Sequence, residues 1–166
     1  MKRPVLPRDY LKMRCTPVFS NTDLLIQDEI QNIDDLFDKY TVLIELVRQK
    51  EPDSIESLAL AALVHSFYNG VENIFLLISK RIDSYTPNTF AWHTELLIRM
   101  GEETDKRKAV LQRTTLSDLQ EYLGFRHFFR HCYSYHIDWL KLKPLVDNMQ
   151  STWDKVKNEL EIFIKK

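Results

Sequence analysis

The sequence predicts an all-α fold: an up-and-down bundle of about five helices. Three observations point there. Only three of the 166 residues are glycine, too few for the tight turns of a sheet protein. Apolar residues recur at three- and four-residue steps over long stretches. Proline and capping side chains, rather than glycine turns, punctuate those stretches. A composition 44% hydrophobic and 28% charged belongs to a folded chain and excludes a disordered one, and the length suits a single core.

Residues 1–19 read as a basic N-terminal arm, and residues 20–166 as the helical domain. Pro4, Pro7 and Pro17 interrupt any helix in the arm, which carries five basic residues against one acid. From Thr22 to Gln49, Leu25, Ile26, Ile30, Ile33, Phe37, Tyr40, Ile44 and Val47 form one apolar stripe, the mark of an amphipathic helix. Pro52 ends it, and Asp53 with Glu56 three positions on reads as a reciprocal cap for a second helix reaching about Asp83. Gly70 inside that helix predicts close approach by a neighbouring backbone.

SYTPNT (84–89) is a turn, and FAWHTELLIRM a short third helix stopping near Gly101. A fourth helix is expected after Thr115, running to about Trp139. Pro144 fits the first turn of a fifth, buried through Leu145, Met149, Trp153, Val156, Leu160 and Phe163. Trp92, Trp139 and Trp153 are expected as core anchors, and Asp28, Glu29, Asp34, Asp35 and Asp38 as a solvated face.

Cys15 and Cys132 lack metal-ligand or redox spacing and read as free thiols of a reducing compartment. No secretory signal is evident, and no uninterrupted apolar run reaches about 18 residues, so a cytoplasmic location is expected. Net charge is only −1, yet it is unevenly spread. Residues 20–60 carry ten acids against three bases, whereas residues 106–143 carry eight bases against three acids. Such asymmetry fits one surface that meets an anion.

FRHFFRHCYSYH (125–136) concentrates the chemistry: His127, His131 and His136 beside Arg126 and Arg130. On a helix, Arg126, Arg130 and Tyr133 fall within about 60°, but His131 lies about 140° from Arg126. A shared Arg126–His131 site therefore needs either a distorted helix or two copies of the chain meeting about a two-fold axis. These residue types suit RNA cleavage beside a 2′-hydroxyl, because histidine moves protons near neutral pH and arginine steadies a phosphate. Lone His65 is expected to be a core or helix-contact residue.

Arg126-His-Phe-Phe-Arg-His131-Cys-Tyr133 resembles the Arg-x-x-x-x-His-x-Tyr motif of the HEPN superfamily, and more narrowly the HepT-like ribonuclease toxins. Residues 65–83, 89–100 and 122–145 resemble further blocks of that family in the same order. The resemblance implies a homodimer whose motif helices line a shared cleft, and metal-independent endoribonuclease activity with no cofactor. It assigns catalysis to Arg126 and His131, with His127 supporting the site; Arg130 beside them is expected to support the site or bind phosphate. It makes Tyr133 the residue to which a minimal nucleotidyltransferase antitoxin (MntA-like) adds AMP. His136 departs from the pattern, since Arg130 and His136 form a second, wider pair. The alternative within the superfamily is a non-catalytic module that binds nucleotide or substrate for a nucleotidyltransferase.

Overall fold

The computed structural model describes residues 20–131, 133 and 137–165; the basic arm, Cys15, Cys132 and His136 lie outside the described residues. Five helices follow one another: α1 (Asn21–Gln49), α2 (Ser54–Leu77), α3 (Trp92–Met100), α4 (Arg113–His131) and α5 (Trp139–Ile164). Among the described residues there is no strand, and the all-α bundle is as expected.

Two starts are set by reciprocal caps. Ser20 accepts from the Asp23 amide while the Asp23 carboxylate accepts from the Ser20 amide. Asp53 and Glu56 do the same for α2, as their spacing predicts. The start of α4 is capped from elsewhere in the chain. The buried Glu159 of α5 accepts from the Gln112 amide at 2.9 Å and the Thr115 hydroxyl at 2.8 Å. That carboxylate anchors the residue before the helix and the Thr115 side chain in its first turn, and the helix begins at Arg113, ahead of the expected start.

The fourth helix also stops sooner than its apolar pattern implies, at His131 rather than near Trp139. Asp138 caps α5, accepting from the Leu140 amide at 3.0 Å, so this acid begins a new helix. Pro144 consequently sits inside α5 and not in its first turn. Proline has no N–H, so it cannot donate to the Leu140 carbonyl four residues back as a regular helix position would.

α2 is the axis of the bundle and packs against all four other helices. Its Phe67 ring meets Phe37 of α1, Tyr122 of α4 and Trp153 of α5 edge-on, at centroid distances of 5.6, 5.2 and 6.2 Å. Gly70 admits close approach, but by a side chain and not a backbone: a Cβ there would lie 2.8 Å from Cγ1 of Ile33. Together with its continuation Ile78–Ile82, which widens into a π-helical turn, α2 is long and apolar enough to cross a membrane by length and composition. Just over half of that window, 56%, is buried in the bundle, and a helix packed against four neighbours is apolar over much of its surface.

Trp153 is a core anchor, whereas Trp92 and Trp139 are half-buried, the latter with the Lys143 ammonium over its ring. Asp34 does not belong to a merely solvated face. It accepts from the Trp153 indole at 2.8 Å and pairs with Lys157, tying α1 to α5.

Beyond the π turn, Asp83 has a fully buried carboxylate held by Arg107 at 2.9 Å and Arg99 at 2.8 Å. Arg107 also donates to the carbonyls of Arg99, Glu102 and Lys108, which fixes the charged link between α3 and α4. Asp83→Ala strands the buried Arg107 charge and should destabilise the protein by about 3 kcal/mol. Urea denaturation of the variant beside the native chain measures this.

Candidate functional site

His65, Asn69 and Glu72 are spaced by four and three residues on α2, so one face of an otherwise apolar helix carries three polar side chains. Opposite them α4 brings Arg126, and the first turn of α3 brings His93. All three helices contribute to one buried network. Arg126 Nε donates to Asn69 Oδ1 at 3.0 Å, its Nη1 lies 3.2 Å from His93 Nε2, and its Nη2 is 3.1 Å from Glu72 Oε2. The other oxygen of Glu72 lies 2.6 Å from His93 Nδ1. Arg126, Glu72 and His93 are each buried, so the charge of one is balanced by the other within the interior.

Hydrogen-bond direction fixes the protons. A guanidinium only donates, so His93 Nε2 must be the bare acceptor and Nδ1 carries the proton that Glu72 accepts. The same reasoning passes through Asn69. Its oxygen is taken by Arg126, so its amide nitrogen donates to His65 Nε2 at 3.0 Å and the His65 proton also sits on Nδ1. That Nδ1 is buried and finds no partner among the described residues. One guanidinium thereby sets both tautomers.

Both imidazoles have pKa values below the ordinary histidine range. For His65 burial is the main cause, followed by the Arg126 and Arg130 charges. For His93 burial again leads; the Glu72 hydrogen bond opposes it, and the Arg126 and His127 charges add to it.

Toward solvent the chemistry changes. His127 is exposed, with its ring edge-on to His93 at 5.7 Å. Arg130 and His131 are exposed in the last turn of α4, where the Arg130 charge suits the negative end of the helix. Tyr133 is 69% exposed and Phe128 46%. Phe125 and Phe129 stack at 5.9 Å on the inner side, and Phe129 lies 4.9 Å from the His65 ring, so His65 is the helix-contact residue expected of it. Beside the exposed fringe a cleft of about 500 Å³ opens between α4 and α5, with Phe125, Phe128, Ile137 and Leu142 on its walls beside the charged Glu121, Asp138 and Lys141.

The predicted pair is not brought together within one chain. α4 is a regular α-helix through His131, so Arg126 points inward and His131 outward, as the 140° separation requires. The distorted-helix alternative is thus not what the structure adopts. Asn69, Glu72 and His93 were not singled out from the sequence, although three polar positions on the inner face of α2 were a legible signal. Among the described residues no group of three or more His, Cys, Asp or Glu is arranged for a metal ion.

Two outcomes follow from the network. Glu72→Ala leaves Arg126 buried without its counter-charge and should cost about 3 kcal/mol in urea denaturation. The histidines add a pH dependence whose sign is set by their lowered values. The folded protein holds both neutral, while the unfolded chain takes up protons near about pH 6.5. Their contribution is fully present above that pH and is lost as pH falls through the folded values. The urea midpoint should therefore drop between pH 7.5 and 5.5, and the drop should shrink in a His65→Gln/His93→Gln variant.

Comparison with known proteins adds the family. No curated protein and no solved structure matches the chain. Residues 59–166, more than half of the chain, match the family described as HepT-like protein, and that span holds Asn69, Glu72, His93 and the whole Arg126-to-Tyr133 segment. The chain belongs to this family and is a HepT-like protein of HEPN type.

Proposed function

We propose that the protein is a metal-independent endoribonuclease toxin of a toxin–antitoxin pair, acting as a homodimer. Family membership supports this reading. The observation that carries it is the arrangement at the end of α4: a buried Arg126–Glu72–His93 network that His127 meets edge-on, in a helix whose last turn exposes Arg130 and His131. Two copies apposed through this end of α4, with the apolar residues of the neighbouring cleft and the half-exposed Phe128 buried between them, would place two such fringes around one RNA strand.

In this reaction His131 takes the proton of a ribose 2′-hydroxyl, whose oxygen attacks the adjacent phosphorus. The bond to the 5′-oxygen breaks, and that oxygen receives a proton from an imidazolium, leaving a 2′,3′-cyclic phosphate and a 5′-hydroxyl. The imidazolium is that of His127 or of the partner copy's second motif histidine. Arg130, exposed, receives the incoming phosphate. Arg126 steadies the charge that grows on it, through the two guanidinium N–H groups left over from its contacts with Asn69, His93 and Glu72.

Tyr133 is the site of silencing. Its exposure suits transfer of AMP to the phenol oxygen by a minimal nucleotidyltransferase antitoxin, and the added phosphate would occupy the cations that RNA needs.

One observation favours a second reading, a non-catalytic partner of a nucleotidyltransferase: Arg126 is already paired inside its own chain. The two readings part in one assay. Purified protein should cleave RNA to cyclic-phosphate ends in the presence of a chelator, and Arg126→Ala and His131→Ala should each reduce the rate by about a hundredfold or more while the dimer persists in sedimentation. Undiminished cleavage by an intact His131→Ala dimer removes the catalytic assignment, and no cleavage by the native chain favours the binding module.

A further inference from the structure

Resting on the endoribonuclease reading, we propose that Glu72 and His93 are positioning residues for Arg126, holding its guanidinium in one orientation from two sides, with the imidazole serving as a neutral acceptor. Neither residue lies in the Arg126-to-Tyr133 segment, and they come from two other helices. Glu72 receives Nη2 on one oxygen and the His93 Nδ1 proton on the other, so a single carboxylate orients both the cation and the ring that cation donates to. The His93 ring is restrained on its face as well: Trp92 lies against it at 3.5 Å between centroids, and His127 meets it edge-on. A ring so held presents Nε2 at a fixed place.

Arginine has a long side chain with much rotamer freedom, and a charge that must meet a transition state gains from having that freedom removed beforehand. Asn69 alone, on Nε, would leave the fork free to swing about that bond; the contacts on Nη1 and Nη2 stop it. The arrangement depends on His93 staying neutral, because a second ring proton would set an N–H against the Nη1 N–H. The charged and titratable groups facing the ring are Glu72 from α2, which favours that proton, and Arg126 and His127 from α4, which oppose it.

Glutamine at position 93 offers an oxygen to Arg126 and an amide hydrogen to Glu72; leucine offers neither. In the full-length protein, His93→Leu should lower kcat for an RNA oligonucleotide by about tenfold with KM little changed, and His93→Gln should recover most of the loss. Nitrogen-resolved NMR of the arginine side chains supplies a readout that needs no RNA. The Arg126 Nε–H signal should be sharp and slow to exchange in the native chain and in His93→Gln, and broadened in His93→Leu. Circular dichroism checks that each variant folds; should His93→Leu fail, Glu72→Gln, which removes the charge but keeps the shape, replaces it with the same expectation. The inference holds where kcat follows the arginine signal from variant to variant. Two results overturn it: an unchanged Arg126 signal in His93→Leu, or a His93→Gln protein with a native arginine signal and no activity, which would mean that the imidazole itself does chemistry. If the native chain cleaves no RNA, the ribonuclease reading fails on its own, and the arginine signal still decides whether these residues hold Arg126.

Discussion

A guanidinium cannot give up its charge and cannot accept a hydrogen bond, and in this bundle it is buried. Asn69, Glu72 and His93, from α2 and α3, are arranged around that constraint at Arg126 of α4. Glu72 must be present because the charge needs an opposite; His93 must be neutral because one of its nitrogens must accept; Asn69 must turn its oxygen toward α4. The short α3 helix, with only nine residues, earns its place by delivering His93 at its first turn. Outside this interior the same helix α4 carries cations and aromatics that face solvent, so a fixed, charge-balanced layer underlies an adaptable one.

The architecture rests on the breadth of the α2 surface. Phe67 reaches three neighbouring helices by ring contacts, and Gly70 lets the Ile33 side chain settle where a methyl group would stand. Placing three polar residues on such a helix is costly unless each is satisfied, and the partners described above satisfy Asn69 and Glu72. His65 is the exception, with Nδ1 unpaired among the described residues. Its lowered pKa reflects the same surroundings.

Much of this was legible in the residues. The stripe from Ile26 to Val47 marks the buried side of α1, and Asp53 with Glu56 marks the start of α2, because local periodicity and capping are encoded within a few residues. The angular separation of Arg126 and His131 follows from helix geometry alone and is what the fold displays. The boundaries of α4 were not legible: its start is tied to Glu159, 44 residues from Thr115, and the apolar pattern runs on past its end at His131 into a separate helix capped by Asp138. Glu72 and His93 escaped notice for a similar reason: their partners are 21 to 54 residues away, and no local pattern declares which polar residue on a helix will find a charge across the bundle. Asp34 looked like one more acid in a run of acids until its partners, Trp153 and Lys157, were in view.

That contact between Asp34 and Trp153 joins residues 119 positions apart. It closes the seam between the first helix and the last, alongside the ring contact of Trp153 with Phe67 at the bundle axis. Few tertiary contacts in a protein of this size span more of the chain, and loops that long carry an entropic penalty before they yield anything in return. During synthesis the acidic helix therefore waits for its indole until the fifth helix has left the ribosome, and the α2 face meant for Trp153 stays wet until then. A ribosome-bound chain shorter than that holds an unfinished core.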